Sequence, residues 1–302
     1  MLPTESLINK KEGIIVKTAI IPNLTREAAK RVTLGICREL EKLQIGYCFS
    51  EEIKEFFPEL PEKVFEDKNT YVKSSDIIIS VGGDGSMLRA AKTASENDKL
   101  ILGINAGRLA YLCGLDADEL ELLCCLRDGK YTVQQRMMLI AEVYSDGECV
   151  YRNICLNDAV FTRGADLRLI DLSVKTGGRD IADYLADGAI IATPTGSTAY
   201  SMSAGGPIVE PTLEAILLTP ICPHSLAVRP CIFSGDAEFE VSVKDEGEEN
   251  KPVYLCCDGG DSVEISPKSM VKIRKADTKV SFISIKTDNF IDVLNKKLEN
   301  KK

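Results

Sequence analysis

Apolar residues follow two rhythms along this chain, and the rhythm changes near Tyr131. Before that point, continuous apolar runs alternate with helical spacing. GIIVKTAII (13–21) and SDIIISV (75–81) are short, apolar and β-branched, as expected of strands that a parallel sheet buries on both faces. IGYCFS (45–50) and KLILGINAG (99–107) read as two further strands, the latter running into a glycine turn. Between them, Val32, Ile36, Leu40 and Leu43 share one helical face, with Thr25 as the expected N-cap. SMLRAAKTA (86–94) has helical propensity. Asp116 and Glu119 are spaced as a capping box ahead of LELLCCL, with Gly129 where a helix-ending glycine belongs. Alternating strand and helix predicts a doubly wound, mostly parallel α/β sheet.

After Tyr131 the period drops to two. MMLIAEVYS, ECVYRNICL, LRLIDLSVKT, FEVSVKD, PVYLCCD, SVEIS and VKIRK alternate, with turn signals such as SDGE, TGGRD and DGGDS between them. This predicts an all-β, sandwich-like domain. TDNFIDVLNKKLENKK closes the chain as a capped amphipathic helix with Phe290, Leu294 and Leu298 on one stripe. The expected division is therefore 1–125 α/β, 126–283 β-rich and 284–302 a terminal helix.

Composition narrows the class. At 302 residues the chain is long enough for two cores, and 44% hydrophobic with 27% charged residues is ordinary for a globular protein. No apolar run reaches the roughly 20 residues a membrane helix needs, and the polar start MLPTESLINKKEG lacks a signal-peptide core, so a cytoplasmic protein without membrane contact is expected. A net charge of −9 argues against nucleic acid as a partner. The eleven cysteines contain no C-x-x-C pair and read as buried reduced thiols. His224 is the single histidine, which excludes chemistry built on several histidines.

Chemistry concentrates in two stretches. SVGGDGSM (80–87) is a glycine turn between a strand and a helix, a place where backbone N–H groups and the helix dipole receive phosphate. It matches neither G-x-x-x-x-G-K-[ST] nor G-x-G-x-x-G, since Leu88 stands where the last glycine would be. Its acid, Asp84, would repel phosphate. It can help hold Mg²⁺, accept a proton from an attacking hydroxyl, or serve only as a turn residue. ADGAIIATPTGSTAYSMSAGGP (186–207) follows an apolar strand with a dense run of hydroxyls and glycines around Tyr200. An aromatic face beside small donors suits a nucleoside; a flexible linker and a packed loop without ligand are the alternatives.

Together, GGDGSML, GINAGRLAYL, LNDAVFTRG, DGAIIATPTGSTAYSMSAGGPIV and TPICPHSLAVRP resemble the NAD kinases of the bacterial type, in order and over about residues 75–260. The resemblance implies an α/β domain, a β-rich domain, and a last helix that returns to the first, with NAD in the cleft between the two. It implies transfer of the terminal phosphoryl group of ATP, with Mg²⁺ or another divalent metal, to the 2′-hydroxyl of the adenosine ribose of NAD. Asp84 is then the proton acceptor, Gly82 and Gly83 admit the ATP phosphates, and Arg89 assists them. Asp84, Gly85, Asn157, Asp158, Arg168, Asp187, Thr195, Thr198, Ala199, Tyr200, Ser201 and Ser203 match the positions that hold NAD. No residue is assigned as a direct metal ligand. A homodimer or homotetramer is implied, and His224 is structural.

Some positions depart from the family. Ser86 replaces a threonine, Ala110 and Tyr111 stand where Gly-Phe is common, Leu185 where some relatives are basic, and Gly260 where Asp-Gly-Gln is usual. GGDG itself is shared with lipid and sugar kinases, which are the alternative enzymes. A non-catalytic NADP-sensing module is the alternative of another class.

Overall fold

The computed structural model describes residues 16–107, 110–165, 168–225, 227–244, 252–286 and 290–299. The chain divides into two compact units, one of residues 1–135 and 280–302, the other of residues 136–279. The boundaries expected from sequence stood at 125 and 283. Two long strands, Thr132–Ser145 and Met270–Ser284, run through the division without a turn, so no turn chemistry marks it.

In the first unit the strands are β1 (Lys17–Pro22), β2 (Gly46–Ser50), β3 (Phe65–Glu66), β4 (Ile77–Gly82), β5 (Leu100–Asn105) and β6 (Leu115–Asp116). They form a parallel sheet ordered β5-β4-β1-β2-β3, with Ser281 and Phe282 of the last strand pairing in parallel beside β5. Ile77, Ile78 and Ile79 are all fully buried, as a run covered on both faces must be. Helix α1 (Glu27–Lys42) buries Ile36 and Leu40 against one face, with Val32 and Leu43 packed at its margin. Helix α2 (Asp84–Glu96) covers the other, where Met87 sits so close that a Cβ at Gly103 would lie 2.6 Å from its sulfur. The chain winds from β1 outward to β2 in one direction and through β4 to β5 in the other, so the order reverses between β1 and β4.

Local signals hold with one exception. Glu119 accepts the backbone N–H of Asp116 at 2.8 Å, as the capping-box spacing expects, and Gly129 ends α3 (Cys124–Asp128) at φ +66. Thr25, however, does not cap α1. Arg26 occupies the cap position, and the Thr25 N–H and hydroxyl both donate to the side chain of Asn23. The terminal helix spans Phe290–Glu299 with Leu294 buried, and the cap expected over 287–289 lies outside the described residues.

The second unit is a sandwich. Its strands are β7 (Thr132–Ser145), β8 (Glu148–Cys155), β9 (Asp158–Thr162), β10 (Ile170–Thr176), β11 (Arg179–Ala186), β12 (Gly188–Ala192), β13 (Ala215–Ile221), β14 (Cys231–Ser234), β15 (Phe239–Val243), β16 (Val253–Cys257), β17 (Ser262–Ile265) and β18 (Met270–Ser284). One layer runs β11-β10-β15-β18 and includes the β7–β8 hairpin. The other runs β14-β13-β12-β9-β16-β17, antiparallel throughout. Alternation decides which side chains meet. Phe161, Ile191 and Leu218 enter the core between the layers with Leu172, Phe239 and Ile273. Val160, Ile190 and Leu217 face outward and are covered by Val209 and Ala204 from the hydroxyl-rich loop. The loop therefore packs on a sheet face and is no linker.

Of the eleven cysteines, Cys37, Cys48, Cys155 and Cys257 are buried, while Cys149, Cys222 and Cys231 are exposed, so uniform burial does not hold. No helix among the described residues is long and apolar enough to cross a membrane.

Candidate active site

The reversal between β1 and β4 leaves a crevice at the carboxyl ends of those strands, where doubly wound sheets bind ligands. A cavity of ≈ 250 Å³ lies there, lined by Asn23 and Arg26 after β1, Gly83, Asp84, Gly85, Ser86 and Arg89 after β4, and Gly107 after β5. The sequence runs straight from a buried strand into a helix. Gly83 is the N-cap residue and Asp84 the first helical residue. A Cβ on Gly82 would lie 2.4 Å from the Ser86 hydroxyl, so that glycine is required by packing. A Cβ on Gly83 or Gly85 would meet nothing within 4 Å, and neither residue has a positive φ. Neither glycine is demanded by the fold. Both leave space at the helix start.

Asp84 is half-buried and fixed. Its two carboxylate oxygens accept the backbone N–H groups of Tyr111 at 2.9 Å and Leu112 at 2.8 Å. The glycine turn is tied to the first loop as well, since Asn23 donates to the Ser86 hydroxyl at 3.2 Å.

In the second unit, Asn157 and Asp158 enter β9 and lie beside the end of β12, where Asp158 pairs with Ala192. Thr193 donates its N–H to the Asn157 carbonyl and its hydroxyl to that of Leu156. Gly196 passes so close that a Cβ there would stand 2.2 Å from the Asn157 carbonyl oxygen. Asp258 occupies the β16–β17 turn in a left-handed conformation, φ +51. Its carboxylate accepts the N–H groups of Leu156, Asn157 and Asp158 at 2.7, 2.7 and 3.1 Å. The Asp-Gly-Gly turn is thus both a hairpin end and the anchor of this segment.

Beside this segment, Oδ1 of Asn157 and Oγ1 of Thr195 are among the buried side-chain polar atoms of the described residues for which no partner is seen. Buried polar groups are usually hydrogen-bonded, so these two have capacity to bond a further polar group. Thr198 donates to the Thr195 carbonyl, Ala199 is half-buried, and Tyr200 and Ser203 are exposed. Ser201 is fully buried, its hydroxyl bonded to that of Thr219 at 2.9 Å. Asp187 and Arg168 are not brought to this end of the sheet. Asp187 precedes β12, about 20 Å of extended chain from Thr193, and is paired with Arg163 at 2.8 Å. Arg168 is exposed on the loop after β9. His224 is exposed and donates its backbone N–H to Leu185.

The carboxyl of Asp158 is pushed up to about 7, first by burial and then by the charge of Asp258. Its ordinary value is 3.8. Between about pH 4 and pH 7 the unfolded chain therefore releases a proton that the folded chain keeps, so stability falls as pH rises through that window. Asp158→Asn removes the effect. Unfolding free energies of variant and parent from urea titration should agree best near pH 4 and diverge in favour of the variant by pH 8, by on the order of 2–4 kcal/mol. A constant gap across that range would contradict the burial of an ionisable carboxyl here.

Sequence reasoning missed Asn23, Arg26, Gly107 and Asp258. The first two could have been found from Pro22-Asn23 between a buried strand and a helix, the same strand–turn–helix grammar as the GGDG turn.

Residues 13–123 match the family model described as the ATP-NAD kinase N-terminal domain, and residues 156–285 the one described as the ATP-NAD kinase C-terminal domain. A protein named NAD kinase from Caldanaerobacter subterraneus subsp. tengcongensis is 35% identical, covering 93% of this chain and 98% of that protein. An NAD kinase from Desulforamulus reducens is 40% identical over 74% of this chain and 77% of its own length. Among solved structures, yeast NADH kinase complexed with NADH superposes with a TM-score of 0.86, at 21% identity, over 95% of this chain and 89% of its own. An NAD kinase from Archaeoglobus fulgidus in complex with ATP gives 0.69 at 24% identity, over 94% and 99%. At these identities the two structures speak for the fold alone.

Proposed function

The chain belongs to the ATP-NAD kinase family, and on that premise we propose how its residues divide an ATP-dependent phosphorylation of NAD. The first unit carries the donor phosphates and the base. The second carries recognition of the dinucleotide. Asp84 takes the proton of the adenosine 2′-hydroxyl as the oxygen–phosphorus bond forms and the bond from the terminal phosphorus to ADP breaks, yielding NADP and ADP. Gly83 and Gly85 leave room for the phosphates, Gly82 lets the turn pack closely against Ser86, and Arg89 neutralises part of the phosphate charge. Asn157, Asp158, Thr195, Thr198, Ala199, Tyr200 and Ser203 hold NAD. The expected roles of Asp187 and Arg168 are not included in this set, since both lie at the opposite end of the sheet.

The observation that carries this reading is the placement of Asp84. A carboxylate locked by two N–H groups stands between two glycines whose open faces adjoin a cavity at the switch point of the sheet.

A divalent metal fits this arrangement as a companion of the nucleotide. Among the described residues no group of three or more metal-ligating side chains gathers, and Asp84 is the single carboxylate lining the cavity. Asp84 would be the residue here to meet such a cation, directly or through water, and the cation would offset phosphate charge. The homodimeric or homotetrameric state and the cytoplasmic location belong to the same reading; light scattering on the purified chain checks the first.

The test is to incubate the protein with ATP, Mg²⁺ and NAD and to measure NADP with an NADP-specific dehydrogenase, beside a panel of sugars and diacylglycerol. NADP formed faster than any other product supports the reading. Tight NADP binding without turnover would replace it with a sensor.

A further inference from the structure

The turn after β1 brings to the cavity a second guanidinium for which the family resemblance gave no role. We propose that Arg26 grips the polyphosphate chain of the donor nucleotide from the side opposite the glycine turn, as a binding residue acting with Arg89. This rests on the cavity being the donor site of the proposed kinase.

Four observations support it. Arg26, at the start of the helix after β1, and Arg89, in the helix after β4, both line the cavity, and among the described residues Asp84 is the only acid lining it. Among the described residues neither guanidinium has an ion-pair partner, while Asp84 is already engaged by Tyr111 and Leu112. The turn that presents Arg26 is fastened, with the Arg26 backbone N–H donating to the Asn23 carbonyl at 3.3 Å. Asn23 accepts from both the N–H and the hydroxyl of Thr25, at 3.1 and 2.7 Å, and donates to Ser86, so the turn that presents Arg26 is fastened to the turn that presents Asp84. The guanidinium also lies over bare backbone, since a Cβ on Gly107 would come within 3.1 Å of its Nη1.

Chemistry chooses the ligand. Two planar, permanently charged forks around one cavity match an anion with many oxygens. Among the described residues the lining is glycine, polar or charged throughout, which suits an anion better than a ring. The shared chemistry is a linear polyphosphate. The donor triphosphate and the pyrophosphate of the dinucleotide are its two sources here, and the first is favoured because the cavity lies at the glycine turn proposed to receive the donor phosphates.

The experiment uses the full chain. Arg26→Ala should raise KM for ATP about 10- to 100-fold and leave KM for NAD within twofold, since a lost charge-assisted contact is worth that much. Arg26→Lys should fall between the two, because it keeps the charge and loses the fork. The Arg26→Ala/Arg89→Ala pair should lose less than the product of the single effects if both arms hold one chain of phosphates. Binding of inorganic tripolyphosphate with Mg²⁺, followed by calorimetry, should weaken at least tenfold in Arg26→Ala, and this readout needs no turnover. An unchanged KM for ATP, an equal rise in KM for NAD, or unchanged tripolyphosphate binding overturns the clamp. Failure of the parent protein to make NADP would instead overturn the kinase reading, with the tripolyphosphate titration still deciding on Arg26.

Discussion

Replacing Asp84 by asparagine is expected to lower kcat by ~10²–10⁴ while NAD affinity stays within a few-fold. A ribose hydroxyl is a weak acid and a poor nucleophile, so a positioned proton acceptor matters most while the oxygen attacks phosphorus. Asparagine keeps the size of the side chain and removes the basic charge. It also disturbs the turn, because one of the N–H groups of Tyr111 and Leu112 would then face an amide NH₂. That loss is structural and costs about 1 kcal/mol. It predicts a small fall in thermal midpoint and no change of more than a few-fold in Kd for NAD. The two contributions separate cleanly. Steady-state kinetics at saturating ATP and NAD read the first, and calorimetric titration of NAD reads the second. Should kcat survive within a few-fold, Asp84 is only a strut for residues 110–112, and the repulsion it imposes on phosphate has no catalytic return.

Much of this was readable in the chain because the relevant physics is local. The runs IIIS and LILGI could only be strands covered on both faces, and the glycines around Asp84 marked a turn at a helix start. What could not be read depends on contacts across long separations. Arg26 looks like any solvated arginine until the sheet order puts β1 beside β4 and Gly107 beneath the guanidinium. Asp258 reads as half of an Asp-Gly hairpin turn. Its second role needs the N–H groups of residues 156–158, about a hundred positions earlier. Ser201 shows the converse limit. The hydroxyl-rich loop was legible as a type, yet composition did not say which hydroxyls point at a ligand and which, like that of Ser201, bond to the sheet beneath. Asp187 was placed by resemblance alone, and the length of β12 sets it at the far end of the strand.

Asp258→Ala should be the most damaging change in the second unit. It strands three N–H donors, two of them on residues that are nearly inaccessible, Leu156 and Asp158. Bonds from backbone to a charged acceptor are worth more than neutral ones, and an unsatisfied buried donor carries its own desolvation cost of about 1–3 kcal/mol. Against this, removing the Asp258 charge relieves one of the two causes that push Asp158 upward, so the losses do not simply add. A net loss of about 2–4 kcal/mol in urea unfolding is expected, with NAD affinity down at least tenfold because Asn157 and the Thr193–Gly196 turn are built on the same segment. A further signature separates this account from simple misfolding. With the like charge gone, the carboxyl of Asp158 should titrate lower than in the parent, and the pH window over which stability falls should end at a more acid value. An Asp258→Ala protein whose stability follows pH as the parent's does, or which binds NAD undiminished, would show that the turn is held by something other than this carboxylate.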